Sequence, residues 1–278
     1  MCIDVKTNSI EHLIFKDVVD LFSKNDLLVF NDTKVIKARL FAKKSSGGKA
    51  ELLLLKEKNK NVWECLVKGK NIKKGTKLFL ETTNIEVEIV DVNEIKYEVE
   101  FPSFMNVHDI LESSGNIPLP PYIKRQAQDL DNEMYQTVFA KNKGSVAAPT
   151  ASLHFTEALI EKIRDKGVDI GFLTLHVGYG TFSPVKDPDT HIMHEEYFSI
   201  NKELHDKICA CKARSGKIWA VGTTVVRALE SAFDEELKIK LYSGGTRLFI
   251  RPPYRFKVVD RLITNFHHPS TSLMYLVS

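Results

Sequence analysis

The 278 residues contain no run of about 18 consecutive apolar side chains, the length that a membrane-spanning helix needs, so a membrane partner is not expected. Cysteine is scarce. Cys2, Cys65, Cys209 and Cys211 include one Cys-x-Cys and no second pair to complete a zinc site, and they read as buried or inert thiols. An excess of one charge is also missing: 39 Lys and Arg face 36 Asp and Glu, a net +3 that by itself does not signal nucleic acid but leaves room for a local basic face. The opening Met1-Cys2-Ile3-Asp4-Val5-Lys6 has no long apolar stretch, which argues against a secretory leader and gives a cytoplasmic expectation. Internal repeats and low-complexity linkers are absent too. What is present, 43% hydrophobic, 27% charged and 9% aromatic residues, is ordinary globular composition. The length allows one large domain or two smaller ones.

Between Gly48 and Phe101 the pattern has period two: Ile85, Val87 and Ile89 alternate with Glu86 and Glu88, and Ile95, Tyr97, Val99 and Phe101 with Lys96, Glu98 and Glu100. Turn residues such as Ser45-Ser46-Gly47-Gly48, Lys74-Gly75 and Thr83-Asn84 punctuate the segment at strand-length intervals. Residues 43–104 therefore read as an inserted antiparallel β-barrel-like domain. Lys68, Lys70, Lys73, Lys74 and Lys77 cluster around its turns, either as a solvated face or as phosphate contacts.

Residues 1–42 and 105–278 read as an α/β catalytic domain, giving a mixed two-domain α/β fold class. Thr156 can cap a helix bearing Leu159, Ile160 and Ile163 that stops at Gly167, and Val168 to Leu175 reads as a buried strand. Asn201 can cap the next helix. Ile218 to Val221 forms a short strand, turned by Gly222-Thr223-Thr224 into a helix with Val225, Leu229, Ala232 and Phe233. Phe256 to Ile263 reads as a further strand.

Several groups could do chemistry. His176 stands at a strand's carboxyl end before Gly178 and Gly180, the edge where α/β sheets hold ligands. His191-Ile192-Met193-His194-Glu195-Glu196 offers two imidazoles and two carboxylates for proton transfer; a metal reading lacks a third ligand. Thr223 and Thr224 present N–H groups and hydroxyls at a helix start, and Arg227 one turn on could reinforce an anion site or lie on the surface. Ile117-Pro118-Leu119-Pro120-Pro121-Tyr122-Ile123 could stack a base or serve as a stiff connector.

Eight strings in order, among them LLVFNDTKVIKARLF from Leu27, YQTVFA from Tyr135, AAPTASLHFT from Ala147, LTLHVGYGTFSPV from Leu173, MHEEY from Met193, VGTTVVRALES from Val221 and FKVVDRLITNFHHPSTSLMYLVS from Phe256, resemble the S-adenosylmethionine:tRNA ribosyltransferase-isomerases of queuosine biosynthesis. The eighth is PLPPYI from Pro118. The resemblance implies transfer and isomerisation of the ribosyl part of S-adenosylmethionine onto 7-aminomethyl-7-deazaguanine at the wobble position of tRNA, with release of adenine and methionine. It implies no cofactor beyond that co-substrate and no metal. A sulfonium acidifies the adjacent ribose methylene, so a base is needed there, and departing adenine gains from an acid. The resemblance places His176, His194, His154, His191 and His267 as candidates, with Glu196 or Glu195 orienting one of them and Glu196 the partner expected for His194. It places Asn31, Asp32 and Thr33 on the ribose or the base, Gly178 and Gly180 against the ligand, and Thr223, Thr224 and Arg227 on the methionine carboxylate.

Departures from the family pattern stand at Ser152, Gly245, Pro253, His268 and Ser270, and the spacer from Val185 to His191 is short. A tRNA-binding protein that has lost turnover is the alternative from the binding class; a metal-dependent hydrolase on His191 and His194 is a third. The family carries further residues beyond both ends of this chain. Leu273, Met274, Leu276 and Val277 are then expected to form an edge strand lacking its partner, with lower stability, self-association and slow turnover.

Overall fold

Leu27-Leu28-Val29-Phe30 and Ile218-Trp219-Ala220-Val221 show no polar alternation, the pattern of strands covered on both faces. Both lie inside a six-stranded sheet in the computed structural model, which describes residues 1–120, 122–178, 185, 187–267, 269 and 271–278. By packing, the chain divides into Met1–Thr33 with Thr137–Asn142 and Pro149–Ser278, and Lys34–Gln136 with Lys143–Ala148.

The first unit opens on a hairpin of β1 (Cys2–Asp4) and β2 (Ser9–Glu11), followed by β3 (Leu27–Asn31). β4 (Thr33–Val35) leads into six strands, β5 (Arg39–Lys44), β6 (Lys49–Asn59), β7 (Val62–Gly69), β8 (Lys77–Leu80), β9 (Glu86–Asn93) and β10 (Lys96–Glu100). α1 (Val107–Ser114) and α2 (Asp131–Met134) follow, and β11 (Asn142–Ser145) pairs with β4. The chain then runs through α3 (Glu157–Asp165), β12 (Asp169–Leu175), β13 (Glu196–Ser199), α4 (Lys202–Ala213), β14 (Ile218–Val221), α5 (Thr223–Ala232), β15 (Ser243–Thr246), β16 (Arg261–Ile263) and α6 (Ser272–Val277).

β5 to β10 close into an antiparallel barrel in the order β10-β7-β6-β5-β8-β9. The period-two reading is visible directly: Val87, Ile89 and Val99 fill the interior while Glu86 and Glu100 face out. Burial among these side chains pushes the Cys65 thiol up to about 12, so it is an inert filler, whereas Cys209 is exposed. The unit is larger than the expected insert of residues 43–104. Its first barrel strand already starts at Arg39, and α1 packs Val107, Ile110 and Leu111 into the barrel core. Ile117, Leu119 and Tyr135 pack with Val35 and Ala148, so the irregular segment after the barrel belongs to the same unit although it has no period to betray it. Of the proline-rich string, Pro121 lies outside the described residues; Leu119 is buried and Tyr122 is exposed.

The sheet of the first unit has the order β15-β13-β12-β3-β14-β16. β12, β3, β14 and β16 run parallel; β13 pairs antiparallel with β12, and β15 antiparallel with β13 at the edge. Leu28, Phe30, Ile170 and Trp219 pack on one face against α3 and the 3₁₀ turn Phe15–Leu21. On the other face α4 approaches so closely that a Cβ on Gly171 would stand 2.4 Å from Leu204 Cδ1. Thr156 and Asn201 cap α3 and α4 as their sequences imply, accepting from Leu159 N at 3.2 Å and Leu204 N at 2.8 Å.

The expected strand from Phe256 to Ile263 is reduced to Arg261–Ile263. The reason is Glu230, 1% exposed, whose carboxylate accepts from Lys257 N at 2.9 Å, Val258 N at 3.0 Å and Val259 N at 3.0 Å. Those N–H groups are thereby taken from any strand ladder. Glu230→Ala leaves them without acceptors and is expected to cost about 3 kcal/mol, or roughly 6–12 °C in melting temperature. A thermal melt checks this; a shift under 2 °C, roughly 0.5–1 kcal/mol, would mean that the loop is held by other contacts. The closing apolar run is also not a strand: Ser272–Val277 is helical, with Leu276 buried.

Candidate active site

β3, β12, β14 and β16 are parallel, so their carboxyl ends share one edge of the sheet, with β3 between β12 and β14. Successive strands are added on opposite sides of β3, so the strand order reverses there, the position at which open α/β sheets bind ligands. Asn31, His176, Gly222 and Thr264 follow or end those four strands.

Asn31 is fully buried and every polar valence is used. Its Nδ2 donates to Leu175 O at 2.9 Å and Thr224 Oγ1 at 3.4 Å, and its Oδ1 accepts from Leu175 N at 3.0 Å and Thr33 N at 3.1 Å. The expected contact of Asn31 with a ribose or base is therefore corrected: this amide is a clamp joining the ends of β3 and β12. Its effect is to place Thr33 and His176 beside each other.

Thr33 Oγ1 stands 2.8 Å from His176 Nδ1 and 3.4 Å from Asn142 O. His176 N donates to Tyr197 O at 2.9 Å, and the imidazole lies parallel to the Tyr197 ring, with centroids 6.2 Å apart. The ring is thus held on its main chain, its face and Nδ1, and Nε2 has no partner among the described residues. Burial lowers the His176 pKa below the usual 6.5, opposed by the Asp32 carboxylate. Asp32 accepts from Thr174 Oγ1 at 2.6 Å and Asn142 Nδ2 at 3.0 Å. The arrangement presents a neutral imidazole with one free nitrogen, suited to accepting a proton.

A second cluster adjoins it. Glu196, at the start of β13, and Arg227 of α5 are 3% and 2% exposed and form a buried ion pair through Oε2 and Nη1. Glu196 Oε1 accepts from Gly178 N at 2.9 Å, and Arg227 Nε donates to Leu248 O at 3.1 Å. Arg227 Nη2 has no acceptor among the described residues. Among the described residues no hydrogen bond joins Glu196 to His194, the partner expected from the sequence; Glu196 latches the segment after His176. Gly222, at φ +96°, makes the turn into α5 that an L side chain would strain. Thr223 and Thr224 are buried at that helix start. Gly180 lies outside the described residues.

The remaining histidines divide. His267 follows β16 on the same sheet edge, its Nε2 2.9 Å from Thr264 Oγ1, and burial lowers its pKa. His194 is exposed, and no hydrogen bond joins it to the site. His154 is exposed beside the Phe15 ring, centroids 5.1 Å apart, and likewise bonds to none of these groups. His191 packs on Phe249. Among the described residues no three His, Cys, Asp or Glu gather as a metal would require, and no helix is long and apolar enough to cross a membrane. Of the departures, Ser152 is buried with its hydroxyl unpartnered among the described residues, and the space beside Gly245 is filled by Glu195, which stands 3.6 Å from Arg247. His268 and Ser270 lie outside the described residues.

The profile of the family described as "Queuosine biosynthesis protein" matches residues 1–278. This chain belongs to that family. It is 47% identical over 283 aligned positions to the S-adenosylmethionine:tRNA ribosyltransferase-isomerase of Clostridioides difficile (strain 630), covering 100% of this chain and 82% of that relative. The enzyme of the same name from Sulfurihydrogenibium sp. is 47% identical over 282 positions, with the same coverage. A crystal structure of S-adenosylmethionine tRNA ribosyltransferase from Thermotoga maritima is 33% identical, covers 98% of this chain and 78% of that one, and superposes with a TM-score of 0.47.

In this queuosine biosynthesis protein the sequence reading missed two members of the site. Thr174 lies inside a recognised string but, on a strand of apolar residues, gives no sign that its hydroxyl faces Asp32. Asn142 carries no local signal; only the pairing of β11 with β4 brings it to Asp32.

Proposed function

We propose that this chain transfers and isomerises the ribosyl group of S-adenosylmethionine onto 7-aminomethyl-7-deazaguanine at the wobble position of tRNA, giving epoxyqueuosine, adenine and methionine. Family membership supports the reaction. The observation that carries the mechanism is the His176–Thr33 pair, with Nε2 unpartnered among the described residues. Thr33 has an acceptor in Asn142 O, so its hydroxyl oxygen can receive the proton of Nδ1–H; that tautomer leaves the lone pair on Nε2. Nε2 then removes the proton from the ribose methylene that the sulfonium acidifies. His267, neutral for the same reason of burial, serves as a hydrogen-bond donor near departing adenine. Thr223 and Thr224 at the start of α5, with Arg227 Nη2, which has no acceptor among the described residues, hold the methionine carboxylate. Asn31, Glu196 and Gly178 position the segment; His194 and His154 stay as secondary candidates that a bound substrate would have to recruit.

The test mixes protein, S-adenosylmethionine and tRNA bearing the precursor base, and measures free adenine. Adenine release well above that of a no-enzyme control is expected, and its absence overturns the reading. pH adds a second check. A base with a lowered pKa stays unprotonated until the solution is more acidic than its ordinary 6.5, so the acid limb of kcat/KM is expected to have its midpoint below 6.5. Stability has the same sign. The unfolded chain binds protons at these histidines before the fold does, so stability is full above about 6.5 and declines as pH falls toward the lower folded values. A midpoint above 7 would exclude His176 as the titrating group. Thr33→Val removes the hydroxyl at constant volume and is expected to lower kcat by about tenfold with little change in KM, while shifting that midpoint. An unchanged pH profile would mean that Thr33 does not set the tautomer.

A further inference from the structure

Charge is balanced over the whole chain but not along it. From Lys34 to Ala50 and from Cys65 to Leu80 there is no Asp or Glu, while lysines recur throughout both stretches. The barrel brings the two together. β5 pairs with β6 and β8, and β6 with β7, so the Lys44–Lys49 hairpin and the Lys70–Thr76 loop lie at one end. Lys44 Nζ donates to the carbonyls of Lys70 and, at 3.0 Å, Asn71, tying hairpin to loop. A Cβ on Gly69 would stand 3.3 Å from Lys49 O, so the backbones are in contact there.

Most other basic groups of the barrel are neutralised from neighbouring strands. Arg39 meets Glu51 at 3.0 Å, Lys43 meets Glu81 at 3.5 Å, Lys77 meets Glu86 at 2.6 Å and Lys74 meets Asp91 at 4.0 Å. Lys49, Lys68, Lys70 and Lys73 are exposed and have no carboxylate partner among the described residues. Between them stand Ser45, Ser46, Gly47, Gly48, Asn71 and Gly75, and the one apolar side chain of the loop, Ile72, packs into the barrel core.

We propose that this lysine-bearing end of the barrel is a docking surface for the phosphodiester backbone of RNA. The proposal rests on the tRNA-modifying reading above and locates a contact that reading leaves open. Unpaired cations at the tips of rigid strands, separated by small residues, match a row of phosphates. An anionic membrane would be met by the same charge, but membrane-surface sites also present apolar side chains for insertion, and this end presents none.

The experiment uses the full chain and tRNA, with dissociation constants measured by fluorescence anisotropy from 50 to 200 mM KCl. The triple substitution Lys68→Ala, Lys70→Ala, Lys73→Ala is expected to weaken binding and to reduce the slope of log K against log salt by about 2–3. Melting temperature and S-adenosylmethionine binding stay unchanged, and the corresponding triple Arg variant retains the slope. An unchanged slope in a folded Ala variant overturns the surface while leaving the enzymatic reading intact. Failure of the unsubstituted chain to bind tRNA overturns both. Wild-type co-sedimentation with phosphatidylserine vesicles that the Ala variant loses, with tRNA binding retained, would assign the lysines to a membrane and also overturn the proposal.

Discussion

Replacing His176 with Ala is expected to lower adenine release by ~10²–10⁴-fold, the range over which a positioned acid–base group contributes. The main chain at 176 is held independently of the ring, through its N–H to Tyr197 O, and Leu175 is clamped by Asn31, so the variant should fold and bind S-adenosylmethionine. The loss should therefore appear in kcat with KM little changed, because what disappears is a group that acts in the transition state. A loss below threefold in a protein with unchanged melting temperature would demote His176 to structure, and the base would then have to be sought at His267, the other histidine on that edge with a pKa lowered by burial.

The second large effect is on stability. Arg227 and Glu196 are almost completely buried and neutralise each other, so removing either leaves a charge in a medium that solvates it poorly. Arg227→Ala and Glu196→Ala are each expected to cost about 3–5 kcal/mol, a large part of a total stability of about 5–15 kcal/mol. The two differ in what else they release. Glu196→Ala also frees Gly178 N, whereas Glu196→Gln keeps an oxygen for that N–H and loses only the charge. If Glu196 holds the segment after His176, the Gln variant should keep more turnover than the Ala variant when both are compared well below their melting temperatures. Urea unfolding and adenine release on the two proteins separate these effects. Equal turnover would show that the Gly178 latch does not matter to the site, and a stability loss under 1 kcal/mol would show that water enters to solvate the stranded charge.

Residues outside the ion pair repeat the same lesson about distance along the chain. Thr156 and Asn201 could be read as caps because a cap bonds an N–H three positions away, and the barrel strands could be read because their two faces alternate. His176 could be placed at a strand end from the apolar run before it and the glycine after it. The boundary at residue 104 fell short because α1 packs into the barrel core and the irregular segment after it, which has no period, buries Ile117 and Leu119 in the same unit. The strand expected at Phe256 failed because its N–H groups belong to Glu230, 27 to 29 positions earlier.

The sequence by itself therefore determined the alternating barrel strands, the capped helices and the family, since each depends on patterns within a few residues or on ordered strings. Only the tertiary structure decided what the polar groups do. Asn31 reads like a ligand-binding amide, and Leu175, 144 positions away, consumes it; Glu196 reads like a partner for His194 two residues before it, and Arg227, 31 positions away, takes its charge. A buried polar group must find a partner wherever the fold brings one within reach, and that choice is made across the sheet rather than along the chain.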